Sequence, residues 1–219
     1  MSVLLVREPL IKEITTSRII HQALLYENAQ LQRALNVALQ QIADDQKAFL
    51  LLKQEMLLDP LTKTPNRQVF QDRVEQALQH AKRSALQLAV IFIDIDGFKA
   101  INDRLGHNAG DLVLTQFTAI LKQCLRSSDT VSRYGGDEFV ILLPEIGSSD
   151  DASAIAVKIL KALARPMRIG TTRLTLEVSL GIALYPSDGE CVRSLTHSAD
   201  GAMYQVKNAG GCGFQFVGA

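Results

Sequence analysis

Apolar and polar positions follow two different rhythms along this chain, and the change between them divides it. From Ile14 to Leu58 there is no glycine or proline, and apolar residues recur at alternating spacings of three and four. With Asn28 set at an a position, the a sites are Asn28, Leu35, Ile42, Phe49 and Met56. The d sites are Leu24, Leu31, Ala38, Asp45 and Leu52. Eight of these ten are apolar, which is the seam of a coiled coil, and a single Asn at an a position favours one register and a parallel pair. Residues 1–58 are therefore expected to form a helical stalk that pairs with a second copy and offers a docking surface to a regulatory protein. A helix packed on its own domain would need a broader apolar face than this narrow strip.

Asp59-Pro60 ends the stalk, because proline is poorly tolerated within a helix and biases the residue before it away from helical geometry. DPLTKTPNR, residues 59–67, is a loop, and Asn66 is placed to cap a helix running from about Arg67 to Arg83. After it, strand-like runs alternate with helical ones. LQLAVIFIDID (86–96) is a buried strand ending in acids, and FKAINDRLGHNAGD is helical, with a longer helix from about Gly110 to Leu125. VSRY and FVILLP read as a hairpin around GGDE, and residues 150–163 as another helix. TRLTLEVSLGIALYP (172–186) is two strands or one long bent strand. A last helix, about Leu195 to Asn208, leads through AGGCGF to a closing strand. This interleaving over residues 59–219 gives an α/β or α+β domain whose sheet the hairpin makes at least partly antiparallel.

Composition narrows the chemistry. The 219 residues carry 23 basic and 23 acidic side chains, so nothing points to a sequence-independent nucleic-acid binder. Cys124, Cys191 and Cys212 are far apart with no CxxC pair, which argues against a disulfide framework or structural zinc and fits a reducing compartment. No apolar run approaches the roughly 18 residues of a membrane span, and MSVLLVREPLIKE makes a poor signal peptide. A cytoplasmic location is expected.

Two acidic strand ends remain to be explained. Asp94 closes an apolar run, and Asp137 lies at the hairpin tip. If those strands are neighbours, their carboxylates converge as hard oxygen ligands suited to Mg²⁺, with positions left for phosphate and an attacking hydroxyl. Gly135 and Gly136 would let a ligand approach the turn.

RYGGDEFVILLP resembles the signature of the GGDEF family, the diguanylate cyclases. The similarity continues, in the family's order, through DPLTKTPNR, IDIDGFKAINDRLGHNAGD, SLGIALYP and ADGAMYQVKNAG, over about residues 58–217. The resemblance implies a nucleotide-cyclase-like fold with a central, mainly antiparallel sheet flanked by helices. It implies condensation of two GTP into cyclic di-GMP with release of pyrophosphate, by two domains facing each other in a homodimer. By position, Asp94, Asp137 and the Ile95 carbonyl would hold Mg²⁺, or Mn²⁺ in its place. Glu138 would assist deprotonation of the ribose 3′-hydroxyl. Lys99, the backbone of Gly97 and Phe98, and Lys207 would hold phosphates, while Asn102 and Asp111 would read guanine. An adenine lacks the donors that Asp111 needs. Arg126 and Asp129, in RSSD with five residues between it and Gly135, resemble the RxxD site at which the family binds its product.

Other residues read as structural: Asp96 as a hydrogen-bonding acid, Asp103 as a solvated one, His107 as a capping or packing residue, and Arg133 and Tyr134 as braces of the hairpin. The chain also departs from the family pattern. Gly211 stands where an arginine is usual, and losing one charge-assisted contact costs about 1.5–3 kcal/mol of triphosphate binding. Lys63-Thr64 replaces a more usual Gly-Leu, in a position to alter how the stalk meets the domain. A catalytically weak or inactive receptor for GTP or cyclic di-GMP that regulates a partner protein is the alternative reading.

Overall fold

The computed structural model describes residues 4–218, with side chains described from residue 16 onward apart from 51–56. The chain divides into two compact units, Met1–Gln54 and Glu55–Ala219. The described residues of the first belong to one helix, α1 (Leu4–Met56). Among its described residues every side chain is exposed, Leu31 by 63% and Phe49 by 65%. Gln40 and Gln41 donate to Asp44 and Asp45 one turn on, at 3.2 and 3.0 Å, the spacing at which helical side chains meet.

In the second unit the elements run α2 (Arg67–Ser84), β1 (Gln87–Ile95), α3 (Phe98–Leu105), α4 (His107–Cys124), β2 (Thr130–Gly135) and β3 (Glu138–Ile146). They continue with α5 (Ser149–Leu163), β4 (Met167–Ile169), β5 (Thr172–Leu174), β6 (Val178–Tyr185), α6 (Val192–Asn208) and β7 (Gly213–Phe216). Asn66 caps α2 as expected, its Oδ1 accepting from Val69 N at 3.0 Å. The five-stranded sheet has the order β2-β3-β1-β6-β7. All neighbours are antiparallel except β7, which joins β6 in parallel. The sheet is thus mixed but mainly antiparallel.

β1 lies at the centre with apolar residues on both faces, which is why its sequence is a continuous apolar run rather than an alternating one. Ile91, Ile93 and Ile95 pack with Val113, Phe117 and Ile159 on one side. Leu88, Val90 and Phe92 pack with Phe70, Val74, Leu195 and Met203 of α2 and α6 on the other. Side chains along a strand alternate, so Asp94 continues the Phe92 face.

Several boundaries differ from the sequence expectation. α4 starts at His107 rather than near Gly110, because Gly106 turns the chain at φ +84° and releases it directly into the next helix. α6 starts at Val192 rather than Leu195. Cys191 caps it: Sγ accepts from Ser194 N at 3.4 Å, and Cys191 N donates to Ser194 Oγ at 3.1 Å. The segment 172–186 is a pair of strands, and β5 leaves the main sheet to pair with β4, an element the sequence pattern did not announce.

Candidate active site

The hairpin β2–β3 places the GGDE turn beside the end of β1. Asp94 and Glu138 are directly opposed in the β1–β3 ladder, so Asp137, one residue earlier, reaches the same end of the sheet. Gly136 turns the chain at φ +53°, a conformation that favours a residue without Cβ. Arg133 braces the turn as expected, donating from Nε to the Gly136 carbonyl at 2.8 Å and pairing through Nη1 with Asp59 at 3.1 Å. Tyr134 packs edge-on against Phe92 at 5.1 Å between ring centres, and the Arg67 guanidinium lies 4.4 Å over its ring.

Asp94, Ile95, Gly97, Phe98, Lys99, Asp137 and Lys207 line one cavity of about 410 Å³, together with Asp96, Gly210 and Gly211. Asp94 is only 6% exposed. Burial pushes its carboxyl above the usual range. The Lys207 hydrogen bond opposes that shift, and the nearby Asp137 charge adds to it. Lys207 Nζ lies 2.6 Å from Asp94 Oδ1, so the lysine expected to meet phosphate stands here as the counter-ion of an expected metal ligand. Two carboxylates and the Ile95 carbonyl, all oxygen and all on one cavity, fit a hard divalent cation. Lys99 and Lys207 add the positive charge that a polyphosphate needs.

Glu138 borders a second, larger groove of about 960 Å³ between α2 and α6. Its carboxyl is raised by burial and then by the charges of Asp94, Asp200 and Asp137. Asn102 and Asp111 lie at the α3–α4 corner rather than on the Asp94 cavity. Gly135 and Gly136 are exposed in the turn and line neither cavity. Arg126 and Asp129 occupy the α4–β2 loop, where Asp129 Oδ2 accepts from Arg126 N at 2.8 Å. They border a narrow crevice that Glu145 and Asp151 also line.

Asp96 behaves as a structural acid: Ser179 Oγ donates to its Oδ1 at 2.8 Å and Cys212 N to its Oδ2 at 2.9 Å. Gly211 follows from that contact. It sits at φ +76°, and a Cβ there would lie 2.8 Å from Asp96 Oδ2. Asp103 and His107 are exposed on α3 and at the first residue of α4. The sequence reading did not single out Ser179, opposite Asp94 in β6, or Asp200, whose charge bears on Glu138. Both matter through contacts that cross from one element to another, and neither carries a local signal.

The domain is thus of the α+β class, with a mainly antiparallel five-stranded sheet and with Asp94, Asp137 and two lysines on one cavity. The match to known proteins is specific. The family described as "Diguanylate cyclase, GGDEF domain" covers residues 56–212, and the chain belongs to it. The bifunctional diguanylate cyclase/cyclic di-GMP phosphodiesterase MucR of Pseudomonas aeruginosa is 44% identical over 165 residues, covering 75% of this chain and 24% of MucR. Diguanylate cyclase TpbB of the same species is 46% identical over 151 residues, 68% of this chain and 34% of TpbB. The chain thus spans about a quarter to a third of these relatives' length. The solved GGDEF domain of TpbB superposes with a TM-score of 0.72 at 42% identity, covering 73% of this chain and 94% of that domain. The P. aeruginosa diguanylate cyclase SiaD, solved with its activator SiaC, matches with a TM-score of 0.70 at 29% identity, over 98% of this chain and 84% of that one.

Proposed function

We propose that this protein is a diguanylate cyclase: two copies, each holding one GTP, join them into cyclic di-GMP. Each ribose 3′-oxygen attacks the α-phosphorus of the other nucleotide, two P–O bonds form, and two pyrophosphates leave. The observation that carries this reading is the shared cavity of Asp94 and Asp137 with Lys99 and Lys207, in a chain of the GGDEF family.

A Mg²⁺ ion, or Mn²⁺, held by Asp94, Asp137 and the Ile95 carbonyl would neutralise phosphate charge and favour the deprotonated hydroxyl. The chain's own residues do the rest. Lys99 and the amides at the start of α3 orient the phosphates, since a helix N-terminus presents free N–H groups to an anion. Lys207, now paired with Asp94 at 2.6 Å, would be free to meet a phosphate oxygen with a cation bound to that carboxylate. Glu138, whose carboxyl is raised above the usual range by burial and by neighbouring acids, takes the hydroxyl proton. Asn102 and Asp111 hold guanine, with Gly135 and Gly136 allowing close approach at the turn. The reaction draws on GTP in the cytoplasm.

The exposed seam of α1 supports homodimerisation through the stalk, and a regulatory protein docking there would tune it. A solved relative, SiaD, was crystallised with an activator protein. Cyclic di-GMP binding at Arg126 and Asp129 would limit the enzyme: the Arg126 guanidinium forks onto a phosphate. The receptor reading draws on Gly211, which offers the phosphates no side chain.

Incubating the purified chain with GTP and Mg²⁺ and resolving the nucleotides tests the proposal. Cyclic di-GMP and pyrophosphate in a 1:2 ratio are expected. Absence of cyclic di-GMP at concentrations where the protein is dimeric, with product continuously removed, rejects the enzyme and leaves the receptor.

A further inference from the structure

Gly110 closes the first turn of α4 directly against the side chain of Asn102 on α3. A Cβ built on Gly110 would stand 1.9 Å from Asn102 Oδ1 and 3.0 Å from its Cγ, with Phe98 Cζ at 3.3 Å. Non-bonded atoms settle at roughly 3.5–4.0 Å, so no side chain fits beside Asn102 as it lies. The position asks for no unusual backbone: Gly110 is helical and buried. Glycine is the poorest helix former after proline. Its presence here is therefore explained by space and not by conformation.

The backbone around it is tied. Gly106 N donates to the Asn102 carbonyl at 2.8 Å, and Gly110 N to the Gly106 carbonyl at 3.2 Å. These bonds fix the end of α3 and the start of α4 on either side of Gly106. What remains free is the short Asn102 side chain, which is half-buried, so a methyl group at 110 would turn the amide away rather than unfold the domain.

We infer that Gly110 is a specificity-positioning residue: its missing side chain seats the Asn102 amide across the start of α4, next to Asp111, in the orientation that reads guanine. The inference rests on the proposed guanine site. Asp111, one residue along the same helix, stays in place when Asn102 turns. Guanine is then held from one position instead of two, while the phosphate contacts in the Asp94 cavity are untouched.

The test compares Gly110→Ala, Asn102→Ala and the double variant in the full chain. Three quantities are read: steady-state kcat and KM for GTP, binding of the non-reacting α,β-methylene analogue of GTP by calorimetry, and melting temperature. Gly110→Ala is expected to raise KM and the analogue's Kd about tenfold, the effect of one lost hydrogen bond, with kcat within about twofold. In the Asn102→Ala background the same change should leave analogue affinity where it was. It should also raise the melting temperature, because only the Phe98 ring, 3.3 Å from the new methyl, then has to yield by a few tenths of an ångström and helices prefer alanine to glycine. Equal affinities for wild type and Gly110→Ala, or an equal penalty with and without Asn102, overturn the inference. Should Gly110→Ala fail to fold, the double variant decides: folded and melting above Asn102→Ala supports the seat, unfolded overturns it. If Asn102→Ala itself binds the GTP analogue as tightly as wild type, the guanine reading falls, and the specificity role of Gly110 falls with it. A melting-temperature coupling that persists in that case leaves the packing of Asn102 on Gly110 established on its own.

Discussion

Asp59 holds the loop before α2 by three groups at once. Its Oδ1 accepts from Thr62 N and Thr62 Oγ1, each at 2.7 Å, and Arg133 Nη1 reaches its two oxygens at 3.2 and 3.1 Å. Burial pushes this carboxyl up, but the Thr62 bonds and the Arg133 charge outweigh that and leave it below the usual range. A depressed folded value means the contribution is complete above the unfolded pKa, about 3.9, and is lost as pH falls through the folded one. Asp59→Asn is expected to cost roughly 1–2 kcal/mol at neutral pH and much less in acid. Urea midpoints at both pH values measure this; parent and variant differing equally at both contradict the assignment. Lys63 holds a left-handed turn at φ 52°, which accounts for the glycine usual there. Thr64 is fully buried with its hydroxyl 2.8 Å from Thr62 and accepting from Arg133 N. At this scale Asp94 and Asp137 were legible, because acids that end apolar runs stand out. Gly110 was not, because what it accommodates lies on another helix.

Among the elements, those with a long periodic run declared themselves. α2 ends within a residue of its expected position, and β1 was evident from LAVIFI alone. The rest was hidden for separate reasons. β4 has three residues, too few for any alternation to register. The parallel direction of β7 is set by its docking beside β6, since a strand's side-chain pattern is the same whichever way it runs. Cys191 is not among the usual capping residues, so the start of α6 was placed a turn late. For α1 the continuous exposure of Leu24, Leu31, Leu35, Ile42 and Phe49 argues for a covering partner, since burying each such side chain gains about 1.5–3 kcal/mol. Leu31→Pro, which interrupts the helix in mid-seam, is expected to abolish self-association by analytical ultracentrifugation and to lower activity together with it. Full activity in a demonstrably monomeric variant contradicts the role given to the stalk.

For the whole molecule, the proposed chemistry requires Asp94, near the end of β1, and Asp137, in the β2–β3 turn, to act as one group. The sheet achieves this by ending β1 and beginning β3 at the same level, with Asp94 opposite Glu138. It places α6 so that Lys207 meets Asp94. No described helix is long and apolar enough to cross a membrane. The proposed function requires that Asp94 and Asp137 jointly hold a cation together with a guanosine triphosphate. Calorimetric titration of Mn²⁺ with the α,β-methylene GTP analogue, in wild type and in Asp94→Asn and Asp137→Asn, addresses that claim most directly. Nucleotide-dependent Mn²⁺ binding is expected in the wild type, weakened at least about tenfold in each variant, which is the loss of one charged ligand. Wild-type Mn²⁺ affinity in both variants would contradict it.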